Sequence, residues 1–262
     1  MLLQYGVDAN KKEYLNGRTA LHMAAFSNST HAAKVLLEHG VDLEVTDTMG
    51  RTPLALAAEF GHRLMIEFLV QQGGNVHAKD KFGKTPLFLA VESLLCEGCD
   101  FKTLLEHGSS VNVTDQYGRC PIHYITDDTT VELCELLLEY GACTNLPDEN
   151  RETPLHFAAS VGNTACIEWL LQHGADVGAL DVANRTPLHA AAYMGRRESV
   201  EMLIQHGANV CLADNLGWLP LHFAAAGQGF DAAEVLFENG SDIAAVDQRG
   251  RTILHLAARN GL

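Results

Sequence analysis

Residues 152–176 read ETPLHFAASVGNTACIEWLLQHGAD, and residues 185–209 read RTPLHAAAYMGRRESVEMLIQHGAN. The two segments share a Thr-Pro-Leu-His start, an apolar second half and a His-Gly-Ala end, and they begin 33 residues apart. A long segment that recurs at a fixed spacing indicates a repeat architecture. The period of this segment therefore decides which fold the sequence predicts.

The same unit recurs along the whole chain, with one anchor residue in each copy before the Pro-Leu pair or its equivalent. Successive anchors are 33 residues apart, except for one step of 35. The anchors are Thr19, Thr52, Thr85, Cys120, Thr153, Thr186, Leu219 and Thr252. A chain of this kind buries apolar surface between neighbouring copies, so residues 1–262 are predicted to form a single repeat array.

The residues of one unit predict two short helices. Threonine at the anchor can cap a helix, and the proline after it, such as Pro154, suits the first helical position, where no N–H is needed. The glycine at the end of the second apolar stretch, such as Gly174, favours the left-handed conformation that ends a helix. Because helices this short are unstable alone in water, each must pack against its neighbours.

With its 33-residue period and its Thr-Pro-Leu-His signature, the sequence resembles the ankyrin-repeat family over essentially the whole chain. The resemblance implies an all-α solenoid of helix–turn–helix units with projecting, β-hairpin-like fingers. The chain departs from the pattern at the anchors Cys120 and Leu219, and at Arg151 and Asn184, which replace a turn glycine. Since residues 1–8 match only the end of a second helix, we expect a piece of a longer array.

The composition excludes several classes of function. The chain has 33 acidic and 18 basic residues, a formal net charge of −15, which disfavours nucleic acid as a partner. The sequence contains no apolar run long enough to span a membrane and no signal-peptide layout at its start. Seven cysteines without framework spacing indicate a reducing compartment, which we interpret as the cytoplasm, with the nucleus as an alternative.

Cys96 and Cys99 form a C-x-x-C pair in the unit that is two residues longer than the others. A zinc site needs four ligands, and the chain has no second pair of this kind. A thiol redox site would require a different sequence context. We interpret both residues as ordinary thiols at a helix–helix turn, and keep a zinc or thiol site as a weak alternative.

The thirteen histidines are more regular than a catalytic or metal site would require. Six occupy the fourth position of the Thr-Pro-Leu-His segment: His22, His123, His156, His189, His222 and His255. Recurrence at the structural period indicates a structural role, so we expect hydrogen bonds that tie the turn to the helix start. No motif for a nucleophile, a phosphate or a metalloprotease zinc is present, so we expect no enzyme and no cofactor.

The resemblance implies that fingers and first helices form a concave face that binds protein partners. Large apolar side chains at exposed positions of this face are not needed for folding and favour a partner. The candidate contacts are Met49, Phe60, Phe82 and Tyr117 in one group and Tyr193, Met194, Leu216 and Trp218 in another. Between them lies an acidic stretch with Asp127 and Asp128 at positions expected on a first helix; it also contains Glu92, Glu149 and Glu152.

These patterns predict a non-catalytic scaffold whose partner segment carries apolar side chains and basic charge. In the alternative interpretation, the apolar side chains fold down onto neighbouring fingers. A second hypothesis makes the chain the recognition module of a larger protein, such as a ubiquitin-ligase adaptor, a channel or a kinase. The resemblance also implies a modification, because Asn112 follows a Leu-x8-Val-Asn-like pattern of asparagine hydroxylation.

Overall fold

A computed structural model describes residues 7–93, 101–227 and 229–259. The chain divides into two compact units, Met1–Gln116 and Tyr117–Leu262, and each is described by itself. The helices of the first unit are α1 (Ala20–Phe26), α2 (Thr30–Glu38), α3 (Pro53–Glu59), α4 (Arg63–Gln71), α5 (Pro86–Ser93) and α6 (Phe101–Glu106).

In the second unit, a 3₁₀ turn at Pro121–His123 precedes the helices that the structure describes. These are α7 (Val131–Glu139), α8 (Pro154–Val161), α9 (Thr164–Gln172), α10 (Pro187–Tyr193), α11 (Arg197–Gln205), α12 (Pro220–Ala226), α13 (Phe230–Glu238) and α14 (Ile253–Arg259). The predicted all-α class is confirmed for the described residues, in which β pairing is limited to one isolated bridge between Val246 and Thr252.

Within each unit, helices of the same rank pack in series. In the first unit, α3 contacts α1 and α5, while α4 contacts α2 and α6. In the second unit, α8, α10, α12 and α14 form one row, and α7, α9, α11 and α13 form the other. Each helix therefore buries its apolar side against the neighbouring repeats, as the solenoid prediction requires.

The residue types explain the two rows. The first helix α3 buries Leu54, Leu56 and the alanines beside them, and such small residues allow the helices of one row to approach closely. The second helix α4 buries the larger side chains of Met65, Ile66 and Leu69. Full burial of each such side chain contributes about 1.5–3 kcal/mol to folding.

The recurring histidines have the structural role that their spacing predicted. In His22, Nδ1 accepts the main-chain N–H of Thr19 at 3.2 Å, and Nε2 lies 3.0 Å from the carbonyl oxygen of Arg51 in the next repeat. The bond to the anchor uses its main-chain N–H. It therefore survives where Cys120 and Leu219 replace threonine, at 3.1 Å in both cases.

Most fingers are held by an aspartate, which is buried in all but one of them, and neighbouring fingers are linked through the main chain. In the finger of residues 148–152, Asp148 Oδ1 accepts the N–H groups of Asn150 at 2.8 Å and Glu152 at 2.9 Å. The N–H of Glu149 donates to the carbonyl oxygen of Tyr117 in the preceding finger at 3.0 Å. These bonds give the hairpin-like fingers a fixed register.

One expectation is wrong. Asp127 and Asp128 lie in an exposed turn and not on a first helix, because the repeat anchored at Cys120 forms only the 3₁₀ turn Pro121–His123. The hydroxyl of Thr129 accepts the N–H of Thr126 at 2.8 Å and so replaces a helical hydrogen bond. Threonine and aspartate side chains compete with the helix in this way, which explains why it stops early.

Candidate functional site

The second unit has two adjoining pockets between its fingers and its first helices. The larger one, of about 460 Å³, is named the Tyr193 pocket; it is lined by Glu152, His156, Arg185, Tyr193, Met194 and Phe223, among others. The smaller one, of about 230 Å³, is named the Leu216 pocket, and Leu216, Trp218 and Asn215 line it. Arg185 and Phe223 line both pockets, which therefore share a wall.

A small side chain explains why the Tyr193 pocket is open. Ala190 on α10 lines it and occupies the position that Phe157 holds one period earlier and Phe223 one period later. The alanine leaves space that an aromatic ring fills in the neighbouring repeats. Tyr193, the last residue of α10, and Met194, which follows it, then form the rim.

The second group of predicted contacts consists of Tyr193, Met194, Leu216 and Trp218. Three of these four residues are exposed. The exposed fraction is 50% for Tyr193, 47% for Met194 and 57% for Leu216. The structure places all four residues of the group on the two adjoining pockets, although they come from a helix end and from the next finger. Such a cluster of exposed apolar side chains is not required by the packing between repeats.

Trp218, the fourth member of the group, is half-buried and serves the fold as well. Its indole N–H donates to Asp247 Oδ2 in the next finger at 3.0 Å, and its ring centroid lies 5.2 Å from that of Phe223. The arginine at the same repeat position, Arg119, bonds Asp148 of the next finger in the same way, at 3.0 Å. Trp218 therefore replaces a framework arginine as well as lining a pocket.

The first group is less uniform than the sequence suggested. Met49 and Phe82, each 36% exposed, lie at finger tips of the first unit. Phe60 is half-buried, and its ring contacts Phe26 edge-on with 4.8 Å between the centroids. Tyr117 belongs to the second unit and is 51% exposed.

The acidic residues also differ in their surroundings. Asp127 and Asp128 are exposed in their turn. Glu152, in contrast, lies half-buried in the Tyr193 pocket, where burial and then repulsion by Asp148 raise the pKa of its carboxyl group. Its ion pair with Arg119 is long, at 3.9 Å.

The basic side chain in the lining of the Tyr193 pocket, Arg185, is neutralised by an aspartate. Arg185 Nε donates to Asp181 Oδ2 at 2.6 Å, within the same finger. Asp181 also holds the finger, because its Oδ1 accepts the N–H groups of Ala183 and Arg185 at 2.8 Å. The pocket therefore combines apolar walls with one acid, Glu152, that lacks a close ion pair.

Sequence reasoning missed Phe223 as a pocket residue and counted Glu152 only as part of the acidic stretch. The signal for Glu152 was present, because its position holds a basic residue or tryptophan in the other repeats. The signal for the pocket was the small residue at Ala190 between two phenylalanines at the same position. Both required the repeats to be compared position by position.

The remaining predicted residues lie elsewhere. Asn112 is exposed in the turn that follows α6, directly after the buried Val111. Cys96 and Cys99 lie outside the described residues, so the structure does not address the thiol or zinc alternative. Over the part of the chain that is described, no group of three or more His, Cys, Asp or Glu side chains is placed to hold a metal ion.

The described helices are also too short or too polar to cross a membrane. The chain matches a protein-family model described as ankyrin repeats in three copies. The match covers six overlapping stretches: residues 1–80, 44–115, 64–148, 93–181, 131–214 and 163–247. No curated protein matches the chain.

Proposed function

The chain belongs to the ankyrin-repeat family, and we propose that it is a non-catalytic scaffold that binds a segment of a partner protein at the Tyr193 and Leu216 pockets. Ankyrin repeats are generally protein–protein interaction modules. The proposed surface is formed by fingers and first helices of the second unit, which the family resemblance predicts to form a concave face.

The observation that carries this proposal is the exposure of Tyr193, Met194 and Leu216 around two adjoining pockets. Aromatic residues and methionine are enriched in the cores of protein interfaces, and exposed apolar patches with polar rims are typical of binding surfaces. A pocket of about 460 Å³ is large enough for an inserted side chain. The partner segment therefore carries apolar groups that pack against the walls of these pockets.

The electrostatic character of the chain supports a partner with basic charge. The net charge is −15, and acidic surfaces attract basic segments and increase their rate of association. In the first unit, Met49 and Phe82 are proposed as further contact points, because they remain partly exposed at finger tips. The histidines that lie beside the pockets, His156 and His189, are bonded within the framework and supply no catalytic group to the proposal.

A comparative capture with three forms of the protein tests the proposal. The first is the wild type, the second carries Tyr193→Ser and Leu216→Ser, and the third carries Leu64→Ser and Phe237→Ser. The control positions are exposed to similar extents, 62% and 55%, but lie on second helices. Partners should be retained by the wild type and the control and lost by the pocket variant, with direct binding then measured on purified proteins.

Folding of all three forms is checked by circular dichroism and urea denaturation. Retention of the same partners by the pocket variant would overturn the proposal and move the binding surface to another face. Loss of partners from the control variant, with retention by the pocket variant, would place binding on the second helices.

A further inference from the structure

Glu152 reverses the charge at a repeat position that otherwise favours basic residues. One residue before each anchor, the other repeats carry Arg18, Arg51, Lys84, Arg119, Arg185, Trp218 and Arg251. The arginines at this position bond the aspartates that hold the fingers. Arg51 Nε lies 3.0 Å from Asp47 Oδ2, and Arg251 Nε lies 2.7 Å from Asp247 Oδ2.

A glutamate cannot neutralise the aspartate of its own finger. Asp148 is neutralised instead by Arg119 of the preceding repeat, whose Nε donates to Asp148 Oδ2 at 3.0 Å. The Glu152 carboxylate is thus an additional negative charge beside a buried aspartate. Such an arrangement is unfavourable for the isolated protein, since a half-buried charge without a close partner costs free energy.

The raised pKa of the Glu152 carboxyl group and the geometry around it both agree with such a cost. Burial and the charge of Asp148 raise the pKa of Glu152, and the guanidinium of Arg119 reaches only to 3.9 Å. A cation that approached Glu152 from the pocket would replace the lost hydration of the carboxylate. The acid is therefore better explained by a ligand than by the fold.

The walls of the Tyr193 pocket suit the rest of such a ligand. Tyr193, Met194 and Phe223 are apolar or aromatic, and the one guanidinium in the lining, that of Arg185, is paired with Asp181 at 2.6 Å. Planar guanidinium groups stack on aromatic rings and form two parallel hydrogen bonds to a carboxylate. The pocket offers both kinds of contact.

We propose that the Tyr193 pocket receives an arginine side chain of the partner segment, with its guanidinium on Glu152 and its aliphatic stem against Tyr193 and Met194. This inference rests on the proposed function, because it names the chemistry of the segment that the scaffold binds. The Leu216 pocket, which shares Arg185 and Phe223 with it, then takes an apolar side chain from a nearby position of the same segment.

The test starts from an unbiased selection of random dodecapeptides on the immobilised full chain. The selected peptides should share an arginine beside one or more apolar residues. A synthetic peptide of the shared sequence is then titrated against the wild type, Glu152→Gln and the matched control Glu168→Gln. Glu168 is exposed on the second helix α9, so the control removes the same charge away from the pocket.

Affinity for Glu152→Gln should fall by about tenfold or more, as expected when a charge-assisted bond is lost, and affinity for Glu168→Gln should change much less. A peptide with citrulline in place of arginine, which keeps the shape and removes the charge, should lose affinity for the wild type. It should bind the wild type and Glu152→Gln about equally, which closes a double-mutant cycle.

Selected peptides without basic residues, or equal binding of the arginine and citrulline peptides to the wild type, would overturn the inference. If Tyr193→Ser with Leu216→Ser abolishes binding while Glu152→Gln does not, the proposed function stands and only the arginine assignment is wrong. If binding survives both changes, or if the selection yields no binder, both proposals are wrong. Equal binding after replacement of arginine by lysine would extend the assignment to any long basic side chain.

Discussion

The Nε2 atom of His156 lies 3.1 Å from the main-chain oxygen of Arg185, so the first helix of one repeat is hydrogen-bonded to the finger of the next. The other ring nitrogen, Nδ1, accepts the main-chain N–H of Thr153 at 3.0 Å. Because an acceptor nitrogen carries no proton, the ring is neutral and its single proton is on Nε2. Protonation of Nδ1 would remove the bond to Thr153.

The fold should therefore lose stability in mild acid. Burial lowers the pKa of His189 to about 4, and also lowers the pKa of His22, His123, His156 and His222. An unfolded histidine binds its proton near pH 6.5, so below this pH the unfolded state gains protons that the folded state does not bind. We expect the free energy of unfolding, measured by urea denaturation, to fall as the pH is lowered from about 7 to about 5.

The control variant is His189→Gln, which removes one of the titrating groups. It should be less stable at pH 7 but should show a shallower loss between about pH 6.5 and pH 4. The aspartates do not account for the effect, because the lowered pKa of Asp47 makes its contribution disappear only below about pH 3.8. The raised pKa of Glu152 acts in the opposite direction. A stability that is constant or rises between pH 7 and pH 5 would contradict the prediction.

Most of the fold can be predicted from the sequence because the repeats share the same local structural signals. The caps, the finger aspartates and the histidine bonds recur at one period, so their joint presence leaves one architecture. The repeat of Cys120 is the exception, where Thr126 and Thr129 bond each other and shorten the expected first helix to the turn Pro121–His123. That competition depends on local hydrogen bonds, which a period cannot show.

The candidate site was less predictable for a different physical reason. Exposure depends on the neighbouring repeat, so the space beside Ala190 and the partial burial of Trp218 follow from contacts across repeats. The indole bond from Trp218 to Asp247 illustrates this, since it fixes a side chain that the sequence presents as a free apolar group. Position-by-position comparison of the repeats indicates such exceptions, and only the structure shows what each one contacts.

Replacement of Arg151 by glycine should stabilise the protein. Arg151 has a φ of 61°, in the left-handed region that L-residues adopt at a cost, whereas Gly118 holds the same turn position one period earlier with a φ of 76°. The strain relieved exceeds the extra entropy of an unfolded glycine, so we expect Arg151→Gly to raise the free energy of unfolding by about 0.5–1 kcal/mol. Urea denaturation measures the change.

Two related changes serve as controls for this effect. Asn184 has the same φ of 61°, but asparagine tolerates this conformation, so Asn184→Gly should give a smaller gain. Gly118→Ala should destabilise, because the new Cβ atom would lie 2.9 Å from the main-chain nitrogen of Glu149. A loss of stability in Arg151→Gly would indicate that the arginine side chain contributes more than its backbone costs.

Asn112 is expected to carry a hydroxyl group in protein isolated from animal cells. Its exposure in the turn after α6 supports access by a modifying enzyme, and its sequence context fits the pattern better than that of Asn145. Peptide mass spectrometry should show the added mass of one oxygen atom at Asn112. An unmodified Asn112 peptide at full coverage, or the oxygen at Asn145 instead, would contradict the prediction.

Two phenylalanines of the same repeat should separate binding from folding. Phe82 is 36% exposed at a finger tip, whereas Phe88 is fully buried on α5. Truncation of a buried aromatic side chain costs about 3–5 kcal/mol, so Phe88→Ala should strongly lower the urea midpoint. The Phe82 ring is partly exposed and therefore makes fewer contacts within the protein. We expect Phe82→Ala to lower the free energy of unfolding by less than about 1 kcal/mol.

The same pair also tests whether the first unit contributes to partner binding. If Met49 and Phe82 contact the partner, Phe82→Ala weakens binding although its far-UV circular dichroism is unchanged, because an interface aromatic loses its contact area with the partner and not with the fold. A large loss of stability in Phe82→Ala would instead show that the ring packs onto the neighbouring finger. In that case the exposed fraction belongs to a framework side chain, and the binding surface is confined to the two pockets of the second unit.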